Sequence, residues 1–199
     1  MQSKLSACLL FCALAIGLVV RPAEAATYVL GVVPQFPATE VYRTWTPVLE
    51  AIKAKTGIEL TLRVYETIPV FEKSFLAGEP DLVYYNPYHA VMGKRARNYL
   101  PLVRSGDKPL SGILVVTVDG PIKSLKDLQD KAIAFPAPNA FGASLYMRAL
   151  LAEKHGLRIT PVYSRTHGNA YRSVALGETA AAGGIAITLA GESAELRDQ

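Results

Sequence analysis

The sequence predicts an α/β fold, and three observations carry that prediction. Short apolar runs at residues 28–33, 58–64, 81–85 and 132–135 alternate with stretches whose apolar residues recur at helical spacing. Clusters of Gly, Pro and Asn separate the two kinds of segment, which argues for a parallel sheet with helices on both faces. Half of the 199 residues are hydrophobic, enough for a core and too many for disorder.

The chain opens with Lys4, an apolar stretch over residues 5–20, and Ala23-Glu24-Ala25. These are the three parts of a secretory signal, so residues 1–25 are expected to be cleaved after Ala25 and the mature protein to be periplasmic. A transmembrane anchor would need about 20 apolar residues, and this stretch is shorter. Cys8 and Cys12, the two cysteines, both lie in it, so the mature chain would hold no disulfide. The net charge is only +4 and its densest group is Lys94-Arg95-Ala96-Arg97, which suits a helix carboxyl end. No basic stripe interleaved with aromatics is present, and nucleic acid is not expected as a partner.

The elements follow in order. Residues 28–33 read as a buried strand ended by Pro34-Gln35-Phe36-Pro37. Val41, Trp45, Val48, Leu49 and Ile52 then mark a helix over 41–55, stopped at Thr56-Gly57. A strand at 58–64, a helix at 70–77 and a strand at 81–85 come next, with Asn86-Pro87 breaking the last before a helix over 88–97. Tyr84, Tyr85 and Tyr88, with His89, are thereby gathered at a strand's carboxyl end.

Residues 100–104 read as a further strand, and the Gly- and Pro-bearing loop at 105–109 as a crossing into a second lobe. Beyond it lie a β-branched run at 113–118 and one helical turn at 124–128, capped by Ser124. The centre of the chain is a strand at 132–135, a tight loop at 136–142, a helix over 143–154 and a parallel strand at 159–163. A helix over 169–176 and an alanine-rich stretch with Gly183-Gly184 follow. Ligands of open α/β sheets sit beyond the carboxyl ends of strands, where helix amides favour negative charge, so the loop after residue 135 is the candidate site.

Several spaced stretches together resemble the periplasmic substrate-binding components of phosphate, phosphite and phosphonate ABC transporters. They are Gly31-Val32-Val33-Pro34 with the Trp45-Thr46-Pro47 helix, residues 81–87, Ser124-Leu125-Lys126-Asp127-Leu128, Pro138-Asn139, and residues 167–177. The resemblance implies a two-lobed periplasmic-binding-protein fold of type II-like arrangement, with residues 26–105 in lobe 1 and 106–199 in lobe 2. A small phosphorus oxyanion would be held between the lobes and passed to an ABC transporter permease. It also implies a longer chain, so the C-terminal part of the first lobe is expected to be missing; a complete protein would be monomeric.

The family's Ser-Thr-Ser-Gly run falls on Ala140, Phe141, Gly142 and Ala143, which removes all three hydroxyls and leaves backbone amides and the helix dipole. Its Gly-x-x-Asp-Ala becomes Gly177-Glu178-Thr179-Ala180-Ala181, which weakens the case for an aminoalkyl ligand. Tyr85 and His167 stand at positions that face the family's cleft, and Asn139, Tyr84 and Tyr88 complete the expected ligand set.

No cofactor and no metal are expected. The three histidines, His89, His155 and His167, are far apart in sequence, and neither Ser144 nor Ser173 sits in a Gly-x-Ser-x-Gly setting. An enzyme is therefore not expected. The rival readings are a ligand-sensing periplasmic module of the same fold feeding a membrane receptor, and a truncated fragment that binds nothing.

Overall fold

A computed structural model describes residues 27–106 and 109–199; the expected signal segment, with Cys8 and Cys12, lies outside them. The described residues form two sheets, each layered with helices.

The first sheet is parallel, in the order β2-β1-β3: β1 is Thr27–Val32, β2 Glu59–Arg63 and β3 Leu82–Tyr84. Helix α1, Ala38–Thr56, connects β1 to β2, and α2, Ile68–Ala77, connects β2 to β3. Gly57 ends α1 at φ 74° and Gly78 ends α2 at φ 77°, left-handed positions that glycine adopts without penalty. The Thr67 hydroxyl caps α2 by accepting from the Val70 amide. After β3, Asn86 caps α3, Pro87–Arg97, its Oδ1 accepting from the His89 amide at 2.9 Å.

The second sheet has the order β4-β7-β5-β6, where β4 is Gly112–Val115, β5 Ala132–Phe135, β6 Thr160–Tyr163 and β7 Ala181–Ile185. Strand β4 runs antiparallel to β7, and the other pairs are parallel. Strand β6 carries Pro161 and is exposed throughout, as an edge strand can be. Residues 141–154 form one helical segment, α4, and His167–Ala175 is α5; two short helices, α6 (Ala186–Ala190) and α7 (Ala194–Arg197), follow β7. Ser124 opens a 3-10 turn at Leu125–Leu128, its hydroxyl and amide both bonded to Asp127.

One reading of the sequence needs correction, and one stretch it left unassigned proves to be a strand. Residues 100–104 form no strand: Leu102 and Val103 are 74% and 93% exposed, Pro101 lacks an amide proton, and no ladder partner runs beside them. The alanine-rich stretch, by contrast, contains the most buried strand described, β7. Its glycines are demanded by close approach on both faces. A β-carbon at Gly183 would overlap the Ala143 carbonyl oxygen of α4 and the Phe135 ring, and one at Gly184 would overlap the Tyr171 ring of α5.

The two sheets meet through one apolar cluster. Val33, Ile68, Phe71 and Phe75 from the first half pack with Ala137, Ala140, Ala143 and Ile185 from the second. A polar link lies beside it: Asn86 Nδ2 donates to the Asn139 carbonyl at 3.3 Å, and Asn139 Nδ2 donates to Glu72 Oε2 at 3.4 Å. The other Glu72 oxygen lies 2.9 Å from Nε2 of the fully buried His89.

Candidate functional site

The loop after β5 turns through Pro136, Ala137, Pro138, Asn139 and Ala140 and enters α4 by a wide first turn. Ser144 and Leu145 both donate their amides to the Ala140 carbonyl, at 2.8 and 3.2 Å. The amides of Phe141, Gly142 and Ala143 come before these and have no acceptor within the helix. Gly112 of β4 lies directly against this turn, where a β-carbon would overlap the Gly142 carbonyl oxygen.

A cavity between the two sheets begins at this turn. Ala140, Phe141, Gly142 and Ala143 form one wall, with His167, Ile185 and Leu110; Val33, Gln35, Ile68 and Asn86 form the other. The cavity is about 10 Å³, the room one water requires, so the lobes lie closed on one another. Four helices start on its wall: Ile68 begins α2, Asn86 caps α3, Phe141 begins α4 and His167 begins α5. Each helix start carries a partial positive charge of about half a unit, so their convergence favours an anion.

Capping differs among the four. Thr67, Asn86 and Thr166 each accept a backbone amide into a side-chain oxygen at the start of their own helix. Ala140 has no such oxygen, so α4 presents its first amides uncapped.

His167 is 4% exposed, and its Nδ1 has no hydrogen-bond partner. Burial pushes its pKa down to about 4, which leaves a neutral imidazole with one donor and one acceptor nitrogen.

The sequence-expected residues fall into two groups. Ala140, Phe141, Gly142 and His167 come together on the cavity wall, and Asn139 lies just outside it, linking the lobes. The tyrosines lie elsewhere. Tyr85 packs on Phe75 at 5.7 Å and against Gly93 of α3, and burial raises its hydroxyl above the usual tyrosine range. Tyr84 is exposed and meets Trp45 edge-on at 4.8 Å, and Tyr88 stands beside His89. Neither Tyr84, Tyr85 nor Tyr88 lines the cavity.

Sequence reasoning did not single out Gln35, Ile68, Asn86, Leu110 or Ile185 as wall residues. Asn86 alone carried a local signal, as an Asn before the Pro that opens a helix. Among the described residues no group of three His, Cys, Asp or Glu could hold a metal ion, and no helix is long and apolar enough to cross a membrane.

A family model described as "ABC transporter, phosphonate, periplasmic substrate-binding protein" matches residues 30–199. The chain belongs to this phosphonate-binding family. Solved structures agree on the fold. The binding-protein component of an ABC phosphonate transporter from Pseudomonas aeruginosa superposes with a TM-score of 0.70 at 14% identity, over 84% of this chain and 60% of its own. PhnD1 of Prochlorococcus marinus, in complex with methylphosphonate, does so with a TM-score of 0.70 at 13% identity, over 83% of this chain and 65% of its own. The periplasmic aliphatic sulphonate binding protein of Escherichia coli reaches a TM-score of 0.52 at 16% identity, over 84% and 57%. The chain therefore spans somewhat under two thirds of the first two, and its α/β layers are those of the two-lobed periplasmic-binding-protein fold. No curated protein sequence matches it.

Proposed function

We propose that the protein is the periplasmic solute-binding component of an ABC importer and holds a small phosphorus oxyanion, a phosphonate, phosphite or phosphate, in the cavity between its lobes. The observation that carries this reading is the uncapped start of α4, which lines with the buried His167 a cavity on which three other helices also begin. Ligand oxygens would take the Phe141, Gly142 and Ala143 amides, and His167 would donate a further hydrogen bond. Asn139 and Asn86 would hold the lobes in register around the ligand. Tyr84, Tyr85 and Tyr88 have packing roles in this closed arrangement.

The cavity accommodates one water as it stands, so binding requires the lobes to part and close again, the motion of a two-lobed clamp. Release to a membrane permease would use the same motion. A complete protein would act as a monomer and bind its ligand without altering it.

Isothermal titration with phosphate, phosphite, methylphosphonate and aminoethylphosphonate tests the reading, with His167→Ala alongside. At least one oxyanion should bind, and the variant should lose about 1 to 3 kcal/mol of that affinity, the worth of a buried hydrogen bond to a charged ligand. Silence toward every oxyanion by a folded protein overturns the proposal.

A further inference from the structure

We infer that Arg148 is a positioning residue for the anion loop: its guanidinium fixes the Pro138 carbonyl, so that the loop keeps its amide-presenting shape when the lobes part. This rests on the anion-binding reading above and adds to it the residue that preorganises the site.

The carbonyls decide the shape of such a loop. Backbone amides gather an anion only where the neighbouring carbonyl oxygens are held by donors of their own, because a free one turned inward repels the same charge. From Ala137 to Ala140 each carbonyl has its donor. That of Ala137 accepts from the Ala140 amide at 3.3 Å, and that of Ala140 accepts from the Ser144 and Leu145 amides at 2.8 and 3.2 Å. The other two are held by side chains. Arg148 Nη2 donates to the Pro138 carbonyl at 3.0 Å, and Asn86 Nδ2 donates to the Asn139 carbonyl at 3.3 Å.

These two side-chain bonds differ in what they join. Asn86 caps α3 beside the first sheet, whereas Arg148 and Pro138 both belong to the half built on the second, so parting of the lobes breaks the Asn86 bond and leaves the Arg148 bond. Arg148 is itself firmly held. Its Nε donates at 3.3 Å to the Oγ of Ser144, one turn earlier in α4, which gives a fully buried hydroxyl its partner. Its guanidinium carbon lies 6.0 Å from the centre of the Tyr163 ring on β6, within cation-π range. The planar fork thereby braces helix, loop and neighbouring strand at once.

Stopped-flow binding of phosphate, phosphite and methylphosphonate to the full chain and to its Arg148→Met and Arg148→Lys variants tests this, with amide hydrogen exchange alongside. Both variants should lose about tenfold in affinity for whichever oxyanion the unaltered protein binds. About threefold of that should fall on the association rate, because the competent loop is populated for less of the time. Lysine keeps the charge without the fork, so it should not rescue. In both variants the Ser144 and Leu145 amides should exchange about tenfold faster, while the Gly156 and Leu157 amides, which close the far end of α4, stay as protected as before. Full binding by Arg148→Lys overturns the positioning role in favour of charge alone. Unchanged exchange at Ser144 and Leu145, or a loss confined to the dissociation rate, overturns it too. Equal acceleration at both ends of α4 marks a merely structural role and overturns it as well. Silence of the unaltered protein toward every oxyanion overturns the anion reading instead, and the exchange comparison then decides the brace by itself.

Discussion

The two lobes solve the same architectural problem differently. In the second, β5 and β7 are buried almost from end to end, with α4 on one face and α5 on the other. The first has no such layer. Helix α1 buries only Val41 of its 19 residues, and β1 passes from exposed at Thr27 to fully buried at Val32. Burial in lobe 1 is thus concentrated at the carboxyl ends of its strands and in α2, where Ile68, Phe71 and Phe75 face the other lobe. The second lobe has a core of its own, while much of the first lobe's core is the interface that borders the cavity.

That contrast is open to direct attack, and the largest effect should come from the second lobe. Phe135 is fully buried and packs with Ile133, Met147 and Leu151. Phe135→Ala should cost about 3 to 5 kcal/mol in denaturant unfolding, through lost transfer free energy and the cavity left behind. Trp45→Ala removes more atoms from lobe 1, yet Trp45 is only partly buried, beside the exposed Tyr84, and its loss should cost less. A Trp45 penalty equal to that of Phe135 would show that lobe 1 has an independent core after all.

The next effect, of about 3 kcal/mol, concerns pH and the buried imidazole at the cavity. In the folded protein His167 takes up a proton only near pH 4, whereas in the unfolded chain it does so near its ordinary 6.5. Between those values the unfolded chain holds the extra proton, so acid favours unfolding and stability rises with pH. The contribution is intact above about pH 6.5 and is lost progressively as pH falls to 4, by about 3 kcal/mol in all. Comparing unfolding free energies of the protein and of His167→Asn across this window isolates the effect from the carboxylates. Parallel pH profiles would mean that His167 is solvated and free to charge without cost.

Much of lobe 2 was legible because its central unit obeys local rules. Ala132–Phe135 is an apolar run bounded by turn residues, and α4 is rich in good helix formers. Strand β7 was not legible, since Ala-Ala-Gly-Gly has little strand propensity; tertiary closeness to Phe135, Ala143 and Tyr171 selected it instead. Residues 100–104 misled in the opposite direction: apolar composition suggested a strand, but a strand needs a neighbour to pair with. Of the cavity wall, the loop and His167 were legible because they are contiguous with recognisable helix starts. Ile68, Leu110 and Ile185 were not, because a wall assembled from three distant segments leaves no mark at any one of them.

The smallest expected effect belongs to the link across the interface. Asn139 is the point at which the loop bordering the cavity touches α2 and the start of α3. Its side chain donates to Glu72, and its carbonyl accepts from Asn86 whatever side chain it carries. Asn139→Ala therefore removes one of the two bonds and leaves the apolar cluster of Ile68, Phe71 and Ala140 in place. The penalty should be about 1 kcal/mol, that of a single hydrogen bond exchanged with water. Because the lost bond exists only when the lobes are together, its removal should favour the open arrangement and raise the ligand dissociation rate more than it lowers the association rate. Stopped-flow measurement with a binding phosphonate checks this. An unchanged dissociation rate would mean that the apolar cluster alone holds the lobes closed, and that the polar link only sets their register.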